Sequence, residues 1–231
     1  TARELVLSAL ADGPSRLRAP LFSRDTNLMV EALRALGVGI SEVDGEGQFG
    51  PDLLVTPAEL SGGTTIDCGL AGTVMRFVPP IAALALGPVA FDGDKAARTR
   101  PMRPVLDALI DLGVDVSDDG RRALPFSLYG TGSIEGGRLV VDASESSQFI
   151  SAFLLVGARF EKGLELGLAS DRVPSEPHID MTIDCLAARG VTVSKPEPGV
   201  WVIEPGPIAG REVSIEPDLS NAAPFLAAAL V

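Results

Sequence analysis

The sequence predicts an α/β fold of three repeated units around a pseudo-three-fold axis, with helices inside and mixed sheets outside. Three observations carry that expectation. Helical apolar patterns stop at Gly37, Gly113 and Gly190, about 76 residues apart, each followed by Val and a short alternating stretch (EALRALGVGI, LDALIDLGVDV, DCLAARGVTV). A hydroxyl residue stands where each of these helices should begin: Ser23 before RDTNLMVEAL, Thr99 before RPMRPVLDAL and Ser175 before EPHIDMTIDCL. A second, more apolar helix opens each unit: TARELVLSAL from Thr1, TVMRFVPPIAALAL from Thr73 and SQFISAFLLVGARF from Ser147.

Each unit therefore reads helix, strand, helix, strand, strand, with strands such as SRLRAP, GPVAFDG, LELGLAS, RLVVDAS and VWVIEPG. The first helix of a unit is apolar nearly all round, which places it in the interior, while several strands alternate, which leaves one sheet face wet. A doubly wound parallel sheet would bury both faces and call for uniformly apolar strands. The three units fill residues 1–215. Ser220, followed by NAAPFLAAALV, repeats the capped apolar helix once more, so residues 216–231 read as the start of a second, truncated domain.

With 46% hydrophobic side chains over 231 residues, the chain can bury a large core. A formal charge of −12 argues against a nucleic-acid surface, where a basic stripe is required. The longest apolar run, Phe77 to Phe91, is short for a bilayer and is broken by Pro79, Pro80, Gly87 and Pro88. No membrane partner is expected, and a cytoplasmic location is. Cys68 and Cys185 have neither metal-site spacing nor the density of a disulfide framework, and the single histidine, His178, cannot build a multi-histidine centre. No metal or cofactor is expected.

If the three units share one fold, their equivalent helix starts gather around the axis. Each start carries unsatisfied N–H groups and about half a positive charge, so together they make an anion site even in an acidic protein. Gly69 and Gly72 permit close backbone approach, Thr73, Ser146, Ser147 and Ser175 add hydroxyls, and Gln148 adds an amide. Arg3, Arg76, Arg98 and Arg100 place guanidinium forks near the same edges. Any one of these Ser or Thr residues reads alone as a helix cap; the cluster exceeds what capping requires. His178 is either a surface residue or a ligand contact. Ser117 to Gly120 reads as a solvated turn, and Met75 as core packing.

Taken in order, LAGTVMRF, DGDKAARTRPM, SESSQFISAFLL, VPSEPHIDMT and EPDLSNAAPFLAAA resemble the 5-enolpyruvylshikimate-3-phosphate synthase family. The likeness covers the whole chain. It implies transfer of the enolpyruvyl group of phosphoenolpyruvate to the 5-hydroxyl of shikimate 3-phosphate with release of phosphate, a step of aromatic amino-acid biosynthesis. By the resemblance, Ser146, Ser147 and Ser175 hold the phosphate of shikimate 3-phosphate, Arg3 holds its ring substituents, and Gln148 lies between the two substrates. Gly72 and Arg100 match positions that contact phosphoenolpyruvate, and His178 stands where many relatives have tyrosine against shikimate. Leu70 replaces the family's asparagine and Phe77 its proline. The acid–base carboxylates are expected in the second domain of the same enzyme, so this part alone should be inactive. Two alternatives stand beside this one: UDP-N-acetylglucosamine enolpyruvyl transferase, which shares the architecture but differs at these motifs, and a non-catalytic repeat module that binds another anion or a protein.

Overall fold

The computed structural model describes residues 1–45, 50–169, 174–217 and 223–229. Among these residues twelve strands form three four-stranded sheets with one topology. The first contains β1 (Ser15–Arg18), β2 (Gly39–Val43), β3 (Asp52–Thr56) and β12 (Glu212–Ser214), in the order β12-β1-β3-β2. The second contains β4 (Thr64–Asp67), β5 (Leu86–Asp92), β6 (Asp115–Ser117) and β7 (Phe126–Thr131), in the order β4-β5-β7-β6. The third contains β8 (Gly137–Val141), β9 (Leu164–Leu168), β10 (Val193–Ser194) and β11 (Val200–Ile203), in the order β10-β11-β9-β8. Each sheet has one parallel pair at an edge, β12-β1, β4-β5 and β8-β9, and its other neighbours pair antiparallel.

That common order adds a strand to the expected unit. A strand precedes each inner helix, as β4 and β8 do, and the first unit borrows its leading strand from the far end of the chain as β12. Sequence reading missed β4 and β12 because TTID and EVS are too short and too polar to show a hydrophobic period. Pairing of Arg16 to Arg18 with Glu212 to Ser214 closes the ring.

Helices α1 (Ala2–Ala9), α3 (Gly72–Ala82) and α5 (Gln148–Leu154) lie in the interior. From Phe149 to Leu154 every residue of α5 is buried, and in α3 every residue except Thr73. Helices α2 (Arg24–Ala35), α4 (Arg103–Asp111) and α6 (Glu176–Ala187) each bury one stripe, for example Val105, Leu106, Ala108 and Leu109 in α4. The strands alternate, so Ile66, Val89, Phe91, Phe126 and Leu128 face the helices of the second unit, with Phe91 and Phe126 stacked 4.9 Å apart. A short helix, α7 (Ala223–Ala228), exposes Phe225 and Leu226. The expected cap Ser220 lies outside the described residues.

The three glycine stops share one hydrogen-bond pattern. Gly37, Gly113 and Gly190 have φ of 99°, 85° and 82°, a conformation that only glycine adopts without strain. Behind each, the valine N–H reaches five residues back, Val38 to Leu33, Val114 to Leu109 and Val191 to Leu186, at 2.9 to 3.1 Å. This is the six-to-one bond of the Schellman motif.

Two helix starts differ from expectation. Ser23 caps α2, accepting from the Thr26 N–H at 3.2 Å, but α4 begins at Arg103 with Met102 as its cap, three residues after the expected cap at Thr99. Pro101 forces Arg100 into an extended conformation (ψ 143°), so no helix can run through that position. Thr99 instead ends a short 3-10 turn and donates to Ala96 O. Likewise α3 starts at Gly72 with Ala71 as cap, and it ends at Ala82; Leu86 belongs to β5 and is 70% exposed.

Candidate functional site

Two groups of side chains meet at the N-terminal ends of the inner helices. The first surrounds Gly72, the opening residue of α3. A Cβ placed on Gly72 would lie 2.8 Å from Arg76 Nη1 and 2.9 Å from Arg100 Nη2, so any larger residue here would displace both guanidinium tips. Arg76 is 3% exposed; it donates to Gly72 O at 3.4 Å and Pro101 O at 3.2 Å, stacks over the Phe149 ring at 5.8 Å, and leaves Nε without a partner among the described residues. Arg100 donates to Leu70 O at 2.8 Å. Two guanidinium groups thus converge on one glycine, with no carboxylate among the described residues bonded to either. Burial, then the Arg100 charge, pushes the Arg76 pKa down to about 10. An anion at this point relieves that repulsion and supplies the missing counter-charge.

The second group centres on Arg3, in the first turn of α1. Its Nε–H donates to Thr182 Oγ1 at 2.7 Å and an Nη2–H to His178 O at 3.0 Å. Thr182 Oγ1 also lies 3.0 Å from Ser151 Oγ, tying α1, α6 and α5 together. Burial holds the Arg3 pKa below its usual value. His178 is exposed, and its N–H bonds to Ser175 O at 2.9 Å. Ser175 caps α6 with φ 59° and ψ 50°, a left-handed conformation that costs a non-glycine residue about 1–3 kcal/mol, and its hydroxyl makes no cap bond.

Between the two groups sits the start of α5. Ser146 Oγ accepts from the Gln148 N–H at 3.2 Å, so Ser146 performs the local capping. Ser147, at the cap position itself and only 4% exposed, makes no side-chain cap bond. Gln148 is half-buried at the first helical position. Through Phe149 and Ser151 this helix touches both arginine groups.

The structure therefore brings Gly72 and Arg100 together, and Arg3, Ser175 and His178 together, with Ser146, Ser147 and Gln148 on the helix that connects them. It removes Arg98, whose guanidinium is bidentate to Asp92 at 2.9 and 2.7 Å and serves the β5 loop. It promotes Arg76, which the sequence offered only as one arginine of four. Ser117–Gly120 is the expected turn, exposed except at Asp118, which is buried, accepts from the N–H groups of Gly120 and Arg122, and pairs with the Arg122 side chain at 3.0 Å. A cleft of about 360 Å³ between Arg100, Pro101, Arg103 and Asp142, Ser144, Glu145 opens beside the first group. A roomier cavity of about 680 Å³ lies at the other pole, against Ala9 to Pro14, Leu84 and Leu86. Asp12, Glu59 and Arg159 line it as well. Among the described residues no helix is long and apolar enough to cross a membrane.

Solved structures share this fold. An EPSP synthase from Acinetobacter baumannii superposes with a TM-score of 0.79 at 21% identity, over 97% of this chain and 49% of that one. The enolpyruvyl transferase NikO from Streptomyces tendae gives 0.67 at 15% identity, over 98% of this chain and 52% of that one. The class defined by three equivalent helix–sheet units is thus the enolpyruvyl transferase fold. In sequence, the chain is 54% identical over 235 aligned residues to the 3-phosphoshikimate 1-carboxyvinyltransferase of Kocuria rhizophila, covering all of this chain and 53% of the relative. The profile of EPSP synthase (3-phosphoshikimate 1-carboxyvinyltransferase) matches residues 1–231, and the chain belongs to that family. It spans about half the length of the curated relative described.

Proposed function

We propose that residues 1–215 form the substrate-binding half of an enzyme that transfers the enolpyruvyl group of phosphoenolpyruvate to the 5-hydroxyl of shikimate 3-phosphate. In this reading Ser146, Ser147 and Ser175 hold the phosphate of shikimate 3-phosphate, Arg3 and His178 meet its ring substituents, Gly72 and Arg100 hold phosphoenolpyruvate, and Gln148 reaches both. The observation that carries it is the convergence of Arg76 and Arg100 on Gly72 without a carboxylate partner among the described residues. Ser147 and Ser175 support it, since each sits at a helix cap without using its hydroxyl to cap.

The chemistry assigned to this chain is anion clamping. Fixed donors aimed at phosphate and carboxylate oxygens hold two anions against their mutual repulsion and orient the hydroxyl toward the enol carbon. Proton transfer to and from carbon falls to a second domain of the same enzyme, in the cytoplasm, and the chain alone is expected to turn nothing over. A chimera tests this: the chain replaces the matched half of the Kocuria relative, and phosphate release is followed. Release from phosphoenolpyruvate that depends on shikimate 3-phosphate supports the function. Release with UDP-N-acetylglucosamine in its place, or binding of neither substrate by a folded chimera, refutes it.

A further inference from the structure

We propose that Phe77 is a positioning residue for Arg3, so that residue 77 helps set affinity for shikimate 3-phosphate from across a helix boundary. The inference rests on the function proposed above. The Arg3 guanidinium carbon lies 5.7 Å from the centroid of the Phe77 ring, within range of a cation–π contact. The other partners of Arg3 are neutral oxygens, Thr182 Oγ1 and His178 O, and no carboxylate pairs with it among the described residues. The two hydrogen bonds fix the Nε and Nη2 edges; the ring supports the face. Nη1 is left without a bonded partner among the described residues, as an outward donor requires.

Phe77 suits this task because it is itself 1% exposed within the core and carried on the buried helix α3. Its neighbour Arg76 projects from the same turn toward Gly72 and Pro101. One turn of α3 thus serves both groups, with residue 76 at the Gly72 loop and residue 77 under the arginine of α1. Aliphatic side chains at 77 would fill the space without offering a negative face to the cation.

The contact is tested by graded fluorination. Site-specific incorporation of mono-, di- and trifluorophenylalanine at position 77 drains the ring face at nearly constant volume, and Phe77→Leu removes it. Titration calorimetry with shikimate 3-phosphate is expected to show affinity falling stepwise along the series, reaching about threefold to tenfold for Phe77→Leu, with the melting temperature of the fluorinated chains unchanged. In the ligand-free chain, the NMR signal of the Arg3 Nε–H should carry a ring-current shift that Phe77→Leu abolishes. Affinity that stays flat along the series, or that tracks melting temperature in place of fluorination, overturns the positioning role. A chain that shows the ring-current shift yet binds no shikimate 3-phosphate refutes the proposed function and this inference with it, leaving only the contact.

Discussion

Arg189 is the residue whose loss should be felt most widely. It is fully buried near the end of α6 and donates five hydrogen bonds: two to Glu4 Oε2 at 3.0 and 2.7 Å, and one each to Ser8 Oγ, Ser15 Oγ and Ala209 O at 2.8 to 3.1 Å. Those partners lie on α1, on β1 and on the segment leading to β12, so one side chain joins the third unit to the first where the ring closes. Arg189→Met strands a buried carboxylate, and breaking such a pair costs about 3–5 kcal/mol. For a domain of this size each kcal/mol moves Tm by about 2–4 °C, so a fall of roughly 6–20 °C is expected. The double variant Glu4→Met with Arg189→Met removes both charges and should recover most of that loss, since well-packed apolar replacements of ion pairs are often neutral. Urea unfolding of the wild type, both single variants and the double variant gives the coupling energy directly. A single-variant loss below about 1 kcal/mol, or a double variant as unstable as the sum of the singles, would refute the closure role.

Other outcomes follow from the same geometry. Gly72→Ala puts a methyl 2.8 Å from Arg76 Nη1 and 2.9 Å from Arg100 Nη2, and phosphoenolpyruvate affinity in the chimera should drop about tenfold or more, or 1.4 kcal/mol; titration calorimetry reads it. Ser175→Gly relieves the left-handed strain, so thermal unfolding should show a gain of about 1 kcal/mol while shikimate 3-phosphate binding weakens. The sole tryptophan, Trp201, shares a cavity wall with Glu176 and Ile179 of α6, and its fluorescence offers the binding signal. Burial would raise the Asp118 pKa, but the Arg122 side chain and the N–H groups of Arg122 and Gly120 outweigh it and hold it below the usual 3.8. Its folded pKa is depressed, so its contribution is present above the unfolded value and lost as pH falls through the folded one. Urea midpoints should decline below about pH 4, and Asp118→Asn should flatten that decline.

Legibility followed physical cause. Gly37, Gly113 and Gly190 were readable because a positive φ after a helix is a demand few residues meet, and all three proved to end helices in one pattern. The buried helices α3 and α5 were readable from apolar residues on every side. Strand β12 was not, because its partner β1 lies nearly 200 residues away and its burial depends on that pairing. At the site, the residue types were visible but the capping roles were exchanged: Ser146 caps locally, while Ser147 and Ser175 leave their hydroxyls uncommitted to capping. Thr99 was misplaced because a Thr-x-Pro sequence resembles a cap until the restraint of Pro101 on Arg100 is counted. No local signal could raise Arg76 above Arg98; only packing shows that the first is buried without a carboxylate among the described residues and the second is satisfied by Asp92.

The claim that these helix starts form one anion site for shikimate 3-phosphate is tested most directly by titrating that compound into the 231-residue chain, wild type and Ser147→Ala. One molecule should bind per chain, and Ser147→Ala should weaken binding by about 1–3 kcal/mol, as loss of a hydrogen bond to a charged group does, with no change in Tm. Absence of binding by the folded wild type, or equal affinity in the two chains, would contradict it.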